Sequence, residues 1–82
     1  MKILYDDVPY NELPQRTKAI VFGAAVDDLL KKAKEDHPYA KVTTARSESH
    51  GSAEVLVRGD LFGRIFVNKQ GFLEGRCVAG EA

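Results

Sequence analysis

The stretch Ala33-Lys34-Glu35-Asp36-His37-Pro38-Tyr39-Ala40-Lys41-Val42-Thr43-Thr44-Ala45-Arg46 carries the change of period that decides the fold. Before Pro38 the apolar residues recur at helical spacing. The residue preceding a proline resists helical geometry, so a helix that reaches this point stops at about Asp36, before His37-Pro38. Beyond it, Val42 to Arg46 is β-branched and reads as a strand.

Upstream, Asn11-Glu12-Leu13-Pro14 marks the helix start. Either Asn11 caps with Pro14 inside the first turn, or Pro14 takes the first helical position. Lys2-Ile3-Leu4-Tyr5 reads as a short strand that the turn cluster Asp6-Asp7-Val8-Pro9 ends. Downstream, the polar tip Ser47–Gly51 leads to a strand over Ala53–Arg58. Gly59-Asp60 is a tight turn into Leu61–Val67, and Asn68–Gly71 turns the chain into Phe72–Val78. The expected fold is α+β, order β-α-β-β-β-β: one long helix on an antiparallel, hairpin-connected sheet. Gly59-x-Leu61-x-Gly63-Arg64 recurs as Gly71-x-Leu73-x-Gly75-Arg76, which fits two successive hairpin strands better than a repeat architecture.

The chain has 82 residues, enough for one domain spanning 1–82 and too few for a large catalytic cleft. A domain this size buries only about 60–65% of its unfolded surface. With 44% apolar and 29% charged residues, it has the composition of a folded protein. Twelve basic residues balance twelve acidic ones, and both halves of the chain are themselves neutral. That removes the usual signature of strong non-specific nucleic-acid binding. Cys77 is the single cysteine, so no intrachain disulfide and no paired-cysteine metal or redox motif exists. No apolar run reaches the ~18 residues of a membrane-spanning helix, and no signal-peptide pattern opens the chain. A protein of the cell interior, with no membrane partner, is expected.

The apolar residues exceed what one core needs. On the helix, Ala19, Phe22, Ala25, Val26, Leu29, Leu30 and Ala33 share an arc, yet Ile20, Val21 and Ala24 fall on the charged side. Alternation assembles one sheet face from Ala53, Val55, Val57, Leu61, Ile65, Val67, Leu73 and Cys77. The opposite face then carries Leu56, Phe62, Phe66, Phe72 and Val78 among Glu54, Arg58, Arg64, Glu74 and Arg76. An outer face this apolar calls for a cover that a one-helix domain lacks. The expected interface residues are Ile20, Val21, Ala24, Leu56, Phe62, Arg64, Phe66, Phe72 and Arg76.

Motifs for chemistry are weak. Ser47, Ser49, His50 and Asp60 hold the residue types of a hydrolytic triad, but the first three crowd one loop tip. Cys77 with His37 or His50 has the types of a thiol–imidazole pair, but Cys77 occupies an inward strand position. Arg58-Gly59-Asp60 spells an adhesion tripeptide, and the turn explains it. No phosphate loop, zinc-protease motif or calcium loop occurs. No enzyme activity, cofactor or metal is expected.

From Ala33-Lys34 and Pro38 through Thr43-Thr44-Ala45-Arg46-Ser47 to the strand Glu54–Val57, the layout resembles the neck and tail-completion (head–tail joining) proteins of tailed bacteriophages. The resemblance covers about residues 17–67; Ala45 follows the threonines where the family commonly has glycine. It implies a non-enzymatic structural role, cyclic oligomerisation, and a location in the virion or the host cytoplasm. The expected function is therefore assembly through protein–protein contacts, either with copies of itself or within a larger protein assembly. Two alternatives stand beside it: a nucleic-acid module using Phe62, Arg64, Phe66, Phe72 and Arg76, and a phage-encoded inhibitor of a host protein.

Overall fold

The computed structural model describes residues 2–5 and 8–78. It has the expected α+β architecture. Strand β1 (Lys2–Tyr5) and a 3-10 turn (Tyr10–Glu12) precede helix α1 (Gln15–Asp36), which is followed by β2 (Val42–Ser47), a second 3-10 turn (Glu48–His50), β3 (Ser52–Val57), β4 (Asp60–Val67) and β5 (Leu73–Cys77). The strands form one antiparallel sheet in the order β1-β5-β4-β3-β2. Three hairpins account for β2 to β5. The N-terminal strand pairs with the last one and so forms the sheet edge opposite β2.

Helix α1 begins directly after Pro14, whose carbonyl accepts from the Lys18 N–H at 2.9 Å. Proline loses nothing there, because the first N–H groups of a helix have no partner inside it. The helix ends at Asp36, and His37 closes it with an N–H bond to the Ala33 carbonyl. Its buried stripe is Phe22, Ala25, Val26, Leu29 and Ala33. These side chains pack on Val55, Val57, Ile65, Leu73 and Cys77 from the inner sheet face. Each fully buried large aliphatic or aromatic contributes about 1.5–3 kcal/mol.

Tyr10 plugs the open end of this core. It is fully buried, its ring is 6.5 Å from that of Phe22, and its hydroxyl donates to the Glu48 carbonyl at 2.8 Å. Gly51 makes room for it: at φ +64° it turns the chain, and a Cβ there would lie 2.9 Å from the Tyr10 ring.

The sheet departs from simple alternation at one point. Val55 opposes Gly63 while Leu56 opposes Leu61, so Phe62 is an extra residue in β4 and forms a β-bulge. Phe62 and Gly63 both turn toward the helix. A Cβ at Gly63 would lie 2.8 Å from Leu29 Cδ1, and Phe62 is only 4% exposed. This corrects two expectations together. Phe62 belongs to the core, not to the outer face, and Leu61 lies outside, not inside. Strict alternation from Ile65 backward assigns them wrongly, because the bulge shifts the register by one residue.

Candidate interaction surface

Residues directly opposed across an antiparallel ladder share a face, so the register alone lays out the side turned away from α1. One row across the strands reads Thr43, Leu56, Leu61, and Val78 adjoins it by donating its N–H to the Phe62 carbonyl. The next row reads Ala45, Glu54, Arg64, Arg76. A third holds Ser47 and Ser52 on one side and Phe66 and Glu74 on the other. Among the described residues, no element covers this face.

Its electrostatics centre on Arg64 and Arg76. Both guanidinium groups reach over the Phe66 ring, 5.1 and 5.7 Å from its centroid. Contacts of this kind contribute about 0.5–1 kcal/mol when exposed. Arg64 and Glu54 are register partners, yet Arg64 lies over Phe66 and no ion pair joins the two among the described residues. Both remain exposed. Alternation places Glu74 on this open face, but it is only 1% exposed. Its carboxylate accepts from Asn68 Nδ2 and pairs with Arg76 Nη2, each at 3.1 Å. A central strand position between β1 and β4 buries it, and buried carboxylates need such partners.

The relief of the face is uneven. A hollow of about 390 Å³ is lined by Ala45, Ser47, Ser52, Glu54, Arg64 and Phe66. A second, of about 560 Å³, lies on the other side of Arg64 and Phe66, bounded by the turn Asn68–Gln70 and by Arg76. Arg64 and Phe66 thus form a ridge on β4, with small side chains on β2 and β3 beside it.

The expected interface residues separate into four groups. Leu56, Arg64, Phe66 and Arg76 lie together on the outer face. Ile20, 66% exposed, and Ala24 occupy the crest of α1, whereas Val21 is half-buried against the core. Phe72 is half-buried in the turn before β5, where its N–H donates to Asn68 Oδ1. Phe62 is not available. Sequence reasoning missed Tyr39, 98% exposed in the loop after α1, and it missed Leu61. An aromatic residue in a polar loop, without periodic apolar neighbours, is the signal that could have found Tyr39.

The catalytic candidates do not assemble. Ser47 Oγ and Ser49 Oγ approach His50 Nδ1 at 2.8 and 3.4 Å on one exposed tip. Asp60 begins β4 at the opposite end of β3 and cannot reach them. Cys77 is buried against the helix. Among the described residues, no group of three or more His, Cys, Asp and Glu side chains is placed to hold a metal ion, and no helix is long and apolar enough to cross a membrane. No protein-family model, curated protein or solved structure matches this chain.

Proposed function

We propose that this protein is a small non-enzymatic assembly component that acts by docking its outer sheet face onto protein. One observation carries the reading: Leu56, Leu61 and Phe66 lie uncovered on a single sheet face beside Arg64 and Arg76. Apolar contact area with arginine anchors is the composition of protein interfaces. The resemblance of residues 17–67 to bacteriophage neck and tail-completion proteins supplies the concrete form, a structural part of a virion. The nucleic-acid reading draws less support, since Phe62 is buried and Glu54 would repel phosphate on the same face.

The test is the native size of the chain in the extract where it is expressed, beside its Phe66→Asp and Leu61→Asp variants. The wild type should run well above the 9.1 kDa of one chain, and the variants should fall toward it. A free monomer in the extract and after purification overturns the proposal.

A further inference from the structure

We infer that the partner of the outer sheet face is a second copy of this chain, packed face to face about a two-fold axis that runs parallel to the strands between β3 and β4. The inference rests on the docking reading above and names its occupant.

The argument is one of shape and charge. The β2–β3 half of the face carries the small side chains Thr43, Ala45, Ser47 and Ser52 beside Leu56 and Glu54; the β4–β5 half carries the large Arg64, Phe66 and Arg76 beside Leu61. A two-fold axis between the halves lays the β4–β5 half of each copy on the β2–β3 half of the other. Such an axis preserves position along the strands, so each residue meets the row it already shares within its own chain. Leu61 then lies over Leu56 of the second copy and Arg64 over its Glu54, while Phe66 enters the hollow beside its Ser52. Arg76 lies over the second copy's Ala45.

Every one of these contacts is complementary. Apolar meets apolar, large meets small, and the exposed carboxylate of Glu54 meets the exposed guanidinium of Arg64, which within one chain form no ion pair among the described residues. Each contact occurs twice by symmetry, as an isologous interface requires. Sheets pack in this aligned manner with their strand directions about 30° apart. The four strands of each copy that overlap, β2 to β5, spaced about 4.8 Å apart, offer a face that buries on the order of 1,000 Å² in total, the lower bound for a specific interface.

The experiment is light-scattering mass of the purified chain, with Glu54→Arg and Arg64→Glu measured singly and mixed. The wild type should weigh twice 9.1 kDa. Each single variant places like charges across both contacts and should raise the dissociation constant about tenfold or more. An equimolar mixture of the two variants should regain the dimer mass. In the mixed dimer the two substituted side chains face each other with opposite charges at one contact, while the native Glu54 and Arg64 pair re-forms at the second. No rearrangement within a chain produces that recovery. A wild type that stays monomeric at millimolar concentration overturns the inference, as do single variants that remain fully dimeric or a mixture that stays monomeric. A monomeric purified chain that is large in the extract removes self-pairing and leaves docking to another protein; a monomer in both removes both.

Discussion

The Phe62 ring stands edge-on to the His37 ring, with centroids 5.8 Å apart and planes at 90°. The contact ties the residue that closes α1 to the one extra residue of β4. It exists because the bulge turns Phe62 inward, under the end of the helix. An edge-to-face pair of this geometry adds about 0.5–1.5 kcal/mol to the area it buries.

Two phenylalanines four residues apart should therefore behave differently. Phe62→Ala removes a core ring and should cost about 3–5 kcal/mol. Phe66→Ala trims a half-buried outer side chain and should cost about 1 kcal/mol or less in the monomer. Urea denaturation of both variants at low protein concentration measures the difference. The reverse order would place Phe62 on the outer face.

Tyr10 predicts a pH dependence. Burial pushes its phenol above the ordinary value of 10.0, and the nearby Glu48 carboxylate pushes in the same direction. A group whose folded pKa is raised contributes fully below its unfolded pKa, and the contribution fades as pH rises through the folded value. Stability should thus fall as pH climbs above 10. Tyr10→Phe should flatten that decline and cost about 0.5–1.5 kcal/mol at neutral pH, through loss of the bond to the Glu48 carbonyl. Urea midpoints from pH 8 to 11 for both proteins check it.

Glu74 and Glu54 lie on the same face but should respond differently to neutralisation. Glu74→Gln weakens a buried, charge-assisted contact with Arg76 and should cost about 1–3 kcal/mol. Glu54→Gln alters an exposed group and should stay within about 0.5 kcal/mol for the monomer. Equal effects in chemical denaturation would mean that Glu74 is not buried.

Arg58 turns the β3–β4 hairpin with φ +53°, followed by Gly59 at +85°. Two left-handed residues in succession make the turn that matches strand twist, and asparagine suits its first position better than arginine. Arg58→Asn should stabilise the chain by about 0.5–1 kcal/mol, a rise in Tm of about 2–8 °C on heating. An unchanged or lower Tm would show that the Arg58 side chain contributes more than the turn strain costs.

Much of this architecture was legible locally. Pro14 and His37-Pro38 bracket the helix because proline acts on its own backbone and that of its neighbour. The hairpins follow from the turn glycines: the first turn sits at Arg58-Gly59, one residue before the Gly59-Asp60 pair that the sequence suggests, and in the second, Asn68–Gly71, the Asn68 side chain accepts from Gln70 and Phe72 N–H groups. Arg64 and Phe66 fell on the correct face because they follow the bulge.

The amino-acid sequence by itself determined which segments are helix and strand, their order, and the excess of apolar surface. Those properties arise from interactions within a few residues. Only the tertiary structure decided that Phe62 is core, that Leu61 is surface, and that Glu74 is buried. Each of these depends on what lies across a ladder: a bulge is defined only against the partner strand, and the burial of Glu74 only by its place in β5, between β1 and β4. A two-residue period carries no information about either.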